Sequence, residues 1–204
     1  MTLVLSCGNV IFVPGSQHYS LPKGAAILGI GADNMKSIPL DIYGRMDSDK
    51  LEAAIDAAID ANQPIVAVVA VIGSTEEGTV DPLEKILELR DQKYRSKDIE
   101  FAVHVDAAWG GYFASLLRDA SSDGARQRFS TPAPVLPMST YVTTQYENLG
   151  RADTITVDPH KTGYLPYPAG ALCYRNIAMR SLIAFEAPYI NSDPSEKEEL
   201  ILGT

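Results

Sequence analysis

Apolar runs alternate with helical patterns along the chain. The run PIVAVVAVIG at 64–73 is continuous and rich in β-branched residues, which is typical of a strand buried on both faces. Asp47 or Ser48 can cap the preceding helix, where apolar residues recur at helical spacing from Leu51 onwards. The same criteria predict strands or short extended segments over 10–14, 35–41, 100–107, 153–158 and 170–175, and helices over 17–29 and 82–95. Strands that alternate with helices predict an α/β fold, with a mostly parallel sheet flanked by helices.

Composition narrows the class of protein. Of the 204 residues 46% are hydrophobic and 21% are charged, as in a globular protein. The net charge of −9 argues against a nucleic-acid partner and against attachment to an anionic membrane. No apolar run approaches the ~20 residues of a membrane span. Cys7 and Cys173 lie among apolar residues and are interpreted as buried free thiols, which favours a reducing, cytoplasmic setting.

Unusual polar groups follow the ends of three predicted strands. In HVDAAWGG the strand ends on Asp106, a carboxylate that would be costly to bury without a cation or hydrogen-bond donors. In DPHK a proline stops the next strand before His160 and Lys161, and GSTEEGT adds hydroxyls after the most apolar strand. His18 begins a helix beyond the first strand. Parallel strands place ligands beyond their carboxyl ends, so these groups are expected at one edge of the sheet.

This set of groups suits pyridoxal 5'-phosphate. The cofactor needs a lysine for a Schiff base, a carboxylate beside its ring nitrogen, flat packing on both ring faces and donors for its phosphate. Four small residues are expected to leave room for a flat group, namely Ala107, Ala108, Gly110 and Gly111. Taken singly, Lys161 would be interpreted as a solvated surface lysine and His18 as a residue at a helix start.

Three stretches carry a family resemblance: HVDAAWGG, ADTITVDPHKTGY and GSQHYSLPKGAAILGIG. They resemble the group II pyridoxal-phosphate-dependent amino acid decarboxylases, and DPHKTGYLPYPAGALCYRN is most similar to the tyrosine decarboxylase branch. The resemblance runs from about residue 8 to the end of the chain. It implies the large domain of a fold-type I pyridoxal enzyme that converts an L-amino acid to an amine and CO2. Tyrosine or another aromatic amino acid is the first expectation for substrate and glutamate or aspartate the next, and full-length relatives are homodimers.

The resemblance also implies roles for individual residues. Lys161 would hold the cofactor as a Schiff base, and Asp106 would pair with the ring nitrogen. Ala108 would pack on one face of the ring and His18 on the other. His160 would lie near the phosphate. No metal is expected.

For some residues the sequence is compatible with either a role in the site or a role in packing. Ser74 and Thr75 match hydroxyls near the phenolic oxygen of the cofactor and the substrate carboxylate, but hydroxyls at strand ends also cap helices. His104 points away from its apolar neighbours and is expected to be a core residue. Asp158 stands where animal members often have Asn and agrees with the tyrosine decarboxylase branch. Three aromatic residues could line the pocket or merely pack: Trp109, Tyr164 and Tyr167.

The family pattern extends beyond this sequence on both sides. Its glycine- and serine-rich phosphate loop should precede His18, and its mobile loop and small domain should follow Thr204. The chain is therefore interpreted as truncated, with 1–176 as a partial cofactor-binding large domain and 177–204 as the start of a connection to a small domain. Two alternatives remain open: an impaired homologue that at most binds the cofactor or a partner, and a fold-type I aminotransferase.

Overall fold

The computed structural model describes residues 8–117 and 138–183, and the strands in these two segments form one sheet. The strands are β1 (Val10–Pro14), β2 (Met35–Ile38), β3 (Ile65–Val71), β4 (Ala102–Asp106), β5 (Thr154–Val157) and β6 (Ala171–Tyr174). Their spatial order is β2-β1-β3-β4-β5-β6. The first five are parallel, while β6 runs antiparallel to β5. The predicted α/β fold with a mostly parallel sheet is confirmed.

Helices connect the parallel strands. They are α1 (Ser20–Ile27), α2 (Ser48–Asp60), α3 (Leu83–Glu88), α4 (Thr140–Glu147) and the short α5 (Arg180–Ile183). The carboxylate of Asp47 caps α2 by accepting hydrogen bonds from two backbone N–H groups of its first turn, as the sequence predicted. The helix predicted over 82–95 is α3 followed by a π-helical segment, Leu89–Tyr94. Both segments bury their apolar residues, so the helical pattern was correct although the backbone changes its winding.

The two faces of the sheet are chemically different because successive residues of a strand point to opposite sides. One face carries Val68 and Ala70 from β3 and Val103 and Val105 from β4, all buried in the main apolar core. The same core contains residues of the helices that pack on this face, namely Leu51 and Ile55 of α2, Leu83, Ile86 and Leu87 of α3, and Tyr146 of α4. The opposite face carries His104 and is approached by α1.

Two buried ionisable residues, Asp81 and Arg90, make hydrogen bonds that connect segments around this core. Asp81 is 1% exposed, and its carboxylate accepts hydrogen bonds from the backbone N–H groups of Met46 and Val71, each at 2.7 Å. Burial raises the pKa of Asp81 to about 6. Arg90 is 3% exposed and donates to the carboxylate of Asp153 at 2.7 Å, near the amino-terminal ends of β4 and β5. The sequence interpretation had singled out neither residue.

Strand β6 corrects one expectation and leaves others untested. Cys173 is a free thiol, but it is exposed and not buried, because β6 lies at the edge of the sheet and its neighbour Leu172 is exposed as well. Cys7 lies outside the described residues, as do the Pro-rich segment 131–137 and most of 177–204. The domain boundary at 176 thus stays a prediction. Within the two described segments, no helix has the length and apolar character that crossing a membrane requires.

Candidate active site

A cavity of about 300 Å³ lies at the carboxyl-terminal edge of the sheet, beyond the ends of β3, β4 and β5. Six of the seven predicted site residues line it: His18, Ser74, Thr75, Asp106, Ala108 and Lys161. The seventh, His160, is exposed and is not among the lining residues; its Nδ1 lies 2.6 Å from the backbone oxygen of Ala169. The topology thus brings together side chains that are far apart in the sequence.

Strand alternation explains how these groups reach one cavity. Asp106 follows His104 by two positions in β4, and both point away from the apolar core towards the cavity. In β5, Thr156 is paired in register with Asp106 and also lines the cavity, as does Asp158 just beyond the strand. The sequence interpretation had treated His104 as a core residue and had not selected Thr156.

Asp106 is held by the turn that follows its strand. One of its carboxylate oxygens accepts a hydrogen bond from the backbone N–H of Ala108 at 3.1 Å. Gly110 then passes so close to β3 that its N–H donates to the oxygen of Ile72 at 3.0 Å. A Cβ atom on Gly110 would lie 2.1 Å from that oxygen, so only glycine fits here.

The small residues of this turn therefore allow neighbouring segments to pack closely, and most of them do not leave space for a ligand. Ala107 is completely buried and belongs to the apolar core. The positions that side chains would take on Gly110 and Gly111 are filled by Ile72 and Val157. Ala108 alone of the four small residues lines the cavity, which corrects the expectation that all four leave room for a flat group.

Lys161 lies on a tight turn directly after β5. Its backbone N–H donates to the oxygen of Asp158 at 3.0 Å, and its Nζ lies 2.8 Å from a carboxylate oxygen of the same residue. The hydroxyl of Thr162 donates to the backbone oxygen of Trp109 at 2.6 Å, which ties this turn to the one after β4. The amine and the carboxylate of Asp106 are thereby presented from two connected turns.

Two imidazoles border the cavity. The Nδ1 of His18 lies 2.8 Å from the hydroxyl oxygen of Ser20, in the loop that leads into α1. His104 lies deeper, with its Nδ1 2.8 Å from the hydroxyl oxygen of Thr154. Burial lowers the pKa of His104, and the nearby charge of Asp106 opposes that shift. A neutral imidazole thus forms part of the cavity wall.

The loop after β3 uses the hydroxyl of Ser74 for its own structure. This hydroxyl donates to a carboxylate oxygen of Glu77 at 3.0 Å and accepts from the backbone N–H of Thr79 at 3.1 Å. Thr75 is exposed at the cavity wall. Of the three aromatic residues left open by the sequence, Trp109 lines the cavity, whereas Tyr164 and Tyr167 are strongly exposed and do not.

One buried group indicates that the cavity receives a polar ligand. The hydroxyl oxygen of Ser16, a lining residue, is buried without a hydrogen-bond partner among the described residues. Such orphan groups are rare in proteins and need a partner. Together with an amine, a carboxylate and an imidazole, it fits an aldehyde cofactor that carries a ring nitrogen and a phosphate. No sequence signal pointed to Ser16, since its isolation depends on how the loop folds.

The model of the pyridoxal-dependent decarboxylase conserved domain matches residues 5–123, which is more than half of this chain. The matched region contains His18, Ser74, Thr75, Asp106 and Ala108.

Relatives of known description agree with this match. An L-tyrosine decarboxylase of Enterococcus faecium is 40% identical over 188 residues, which are 87% of this chain and 30% of the relative. A probable L-tyrosine/L-aspartate decarboxylase of Methanothermobacter thermautotrophicus is 30% identical over 95% of this chain and 44% of its own length. The crystal structure of mouse CSAD in apo form superposes with a TM-score of 0.63 and 28% identity, over 84% of this chain and 30% of that one. The chain thus spans about a third to under half of the length of these relatives.

Proposed function

This chain belongs to the pyridoxal-dependent decarboxylase family, and on that premise we propose that the protein removes the α-carboxylate of an L-amino acid as CO2. The products are the amine and CO2, and the cofactor is pyridoxal 5'-phosphate. The observation that carries this proposal is the cavity that collects the amine of Lys161, the carboxylate of Asp106 and the imidazole of His18 at one sheet edge. A family match alone would say nothing about whether these groups meet.

Each group has a task that its position supports. Lys161 would attach the cofactor covalently through its amine, and Asp106, fixed by the N–H of Ala108, would hold a proton at the ring nitrogen. Ala108 and His18, which both line the cavity, would hold the two faces of the ring. When bound, pyridoxal phosphate supplies a conjugated ring that accepts the electron pair released as the carboxylate departs.

The remaining predicted residues are assigned to the periphery of the same site. Ser74 and Thr75 border the substrate carboxylate, although the hydroxyl of Ser74 is also engaged within its loop. Ser16, whose hydroxyl lacks a partner, is a further polar contact. His160 remains a predicted neighbour of the phosphate.

For the substrate we propose tyrosine or another aromatic L-amino acid first, and aspartate or glutamate second. The relatives named L-tyrosine decarboxylase are 36–40% identical, and those named for both tyrosine and aspartate are 30–34% identical. Trp109, which is 39% exposed at the cavity wall, offers an aromatic surface for such a substrate.

We further propose a cytoplasmic homodimer. Large apolar side chains stay exposed near the site, among them Tyr164, Tyr167 and Phe113. Exposed apolar surface of this kind favours an interface with another protein surface. The exposed free thiol of Cys173 suits a reducing compartment.

Cofactor capture is the direct test. We expect the purified chain mixed with pyridoxal phosphate to develop a new absorption band, and borohydride followed by peptide mapping to place the adduct on Lys161. Lys161→Ala should lose both the band and the adduct. Lys85→Ala is the matched control, since Lys85 also pairs with a carboxylate three residues away but lies on an exposed helix surface.

Product analysis then separates the reaction classes. Release of CO2 and tyramine from tyrosine supports the proposal, and release of CO2 from aspartate supports the second substrate class. A keto acid with pyridoxamine phosphate would instead indicate an aminotransferase. Absence of the band in a folded chain would contradict the cofactor site.

A further inference from the structure

Lys161 and Asp158 form an ion pair inside the cavity. The Nζ and Oδ2 atoms are 2.8 Å apart, and the two side chains are only 27% and 15% exposed. The backbone N–H of Lys161 donates to the oxygen of Asp158 in the same turn. Both partners are thus fixed by the turn that follows β5.

Asp158 is itself anchored to the rest of the site. Its backbone N–H donates to the oxygen of Ala108 at 3.3 Å, which joins it to the turn after Asp106. On its other side the chain returns at Gly170, where a Cβ atom would lie 3.3 Å from the second carboxylate oxygen of Asp158. One oxygen of the carboxylate therefore meets the amine, while the other faces returning backbone.

A second lysine shows what is special about this pair. Lys85 and Glu88 are also three residues apart, but their charged atoms are 3.8 Å apart and the side chains are 47% and 41% exposed. Exposed pairs of that kind contribute little, because water screens them. The pair in the cavity is shorter and less solvated, so its mutual attraction is stronger.

From this geometry we propose that Asp158 is the positioning residue for Lys161. Its carboxylate holds the amine at one end of the cavity, and the pair must open before the amine can reach a carbonyl group. This inference rests on the proposed function in one respect: Lys161 is taken as the residue that captures the cofactor.

The chemistry of capture shows where Asp158 acts. The ammonium ion first gives one proton to solvent, and the nitrogen lone pair then bonds to the carbonyl carbon of the cofactor. The carbonyl oxygen leaves as water, with the two hydrogens that had remained on the nitrogen. The ion pair with Asp158 must break before the nitrogen can bond to that carbon, so a neutral side chain at this position should speed the reaction of the amine.

The test measures the reactivity of the Lys161 amine in the absence of any cofactor. The full 204-residue chain is treated with a trace of acetic anhydride near neutral pH, and acetylation of each lysine is followed by mass spectrometry. In Asp158→Asn we expect Lys161 to be acetylated about fivefold faster, as for the loss of a pair worth on the order of 1 kcal/mol. Asp158→Glu, which keeps the charge, should restore slow acetylation. Glu88→Gln is the matched control and should change the rate at Lys85 by less than about twofold.

Several outcomes would overturn the inference. Equal rates at Lys161 in the wild type and in Asp158→Asn, with native circular dichroism, would show that the pair does not control the amine. A fast rate in Asp158→Glu would show that shape, and not charge, matters. Asp158→Ser provides a second neutral side chain if the Asn variant does not fold.

A parallel measurement keeps this inference separate from the proposed function. Borohydride trapping of pyridoxal phosphate on Lys161 of the wild type tests the function alone. Trapping with unchanged acetylation would overturn only the role of Asp158. Faster acetylation in Asp158→Asn without trapping in the wild type would support the ion pair and contradict the function.

Discussion

The two faces of the central sheet are made by the same strands, yet they differ in burial and polarity. On the face covered by α2, α3 and α4, Val103 and Val105 are fully buried in an apolar core. On the other face, one position along the same strand, His104 and Asp106 are only partly covered and line a polar cavity. The first face buries the apolar side chains at the centre of the sheet, whereas the second leaves polar groups facing an open volume.

This difference separates what stabilises the protein from what it does. Apolar burial contributes about 25 cal/mol for each Å² removed from water, so the covered face, which holds most of the buried apolar residues, supplies most of the stabilisation from apolar burial. The cavity face gives up some of that burial for hydrogen-bonding and charged groups. Substitutions on the two faces should therefore divide into losses of stability and losses of cofactor binding.

The largest effect is expected from introducing a charge on the covered face. Val105→Asp would bury a carboxylate without a partner, and we expect a loss of about 4 kcal/mol or more in the free energy of unfolding. The neighbouring change, Asp106→Val, should alter that free energy by about 1 kcal/mol or less while abolishing stable cofactor binding. Urea unfolding and pyridoxal phosphate absorption measure the two effects.

The matched control is Val66→Asp, the same substitution at a strand position that is 38% exposed. It should cost no more than about 1 kcal/mol, since the charge stays hydrated. A folded Val105→Asp variant with a native unfolding midpoint would contradict the assignment of the faces.

The second effect concerns the contact between the two turns at the edge of the site. Gly110→Ala would place a Cβ atom 2.1 Å from the oxygen of Ile72, so strands β3 and β4 would have to separate locally. We expect a loss of about 3 kcal/mol, measured by urea unfolding.

Gly24 in α1 offers the opposite case. A Cβ atom there would meet no atom within 4 Å, so Gly24→Ala should stabilise the chain by about 0.5–1 kcal/mol through its helix propensity. Equal effects of the two glycine substitutions would show that close packing at Gly110 is not required.

The covered face was largely predictable from the sequence. A continuous apolar run identified β3, and the helical pattern over 82–95 identified α3, whose Leu83, Ile86 and Leu87 are buried. The antiparallel direction of β6 was not predictable, because an apolar run does not encode the direction of its neighbour. Burial of Cys173 was wrongly predicted for a related reason: apolar neighbours in sequence do not show that a strand lies at a sheet edge.

The cavity face was predictable only in part. Lys161 and Asp106 stood out because charged groups directly after apolar strands are unusual. His104 was missed because it was interpreted as a core residue, and Thr156 was not selected at all. Side chains two positions apart in a strand point to the same side, so the position of Asp106 would have placed His104 at the cavity. Placing Thr156 there also requires the pairing of β4 with β5, which the sequence does not give.

The third effect is a pH dependence that originates on the covered side. The pKa of Asp81 is raised by burial from 3.8 to about 6, so its stabilising contribution is fully present below about pH 4 and is lost as the pH rises through 6. Over that window we expect the wild type to lose up to about 3 kcal/mol relative to Asp81→Asn. Urea unfolding at several pH values measures the difference.

Below about pH 4, where Asp81 is protonated, Asp81→Asn should be less stable than the wild type. An asparagine has one amide nitrogen where Asp81 has a second acceptor oxygen, so one of the two backbone N–H groups loses its partner at a cost of about 1–3 kcal/mol. The exposed Asp60 provides the control, since Asp60→Asn removes a carboxylate that no core group contacts. A difference between wild type and Asp81→Asn that does not change with pH would contradict the buried, raised carboxylate.

The smallest effect has the opposite sign and originates on the cavity face. Burial lowers the pKa of His104, so its contribution to stability is present above its ordinary pKa of about 6.5 and is lost as the pH falls through the lowered value. The wild type should therefore lose stability on acidification relative to His104→Asn. We expect less than at Asp81 because the charge of Asp106 opposes the shift.

Proton NMR can follow this titration directly. The chain has three histidines, and the ring resonances missing from His104→Asn identify those of His104. In Asp106→Val the titration should move to still lower pH, because the carboxylate that favours the imidazolium is gone. Movement to higher pH would mean that Asp106 and His104 do not share the cavity face, and the division between the two faces of the sheet would fail at its central strand.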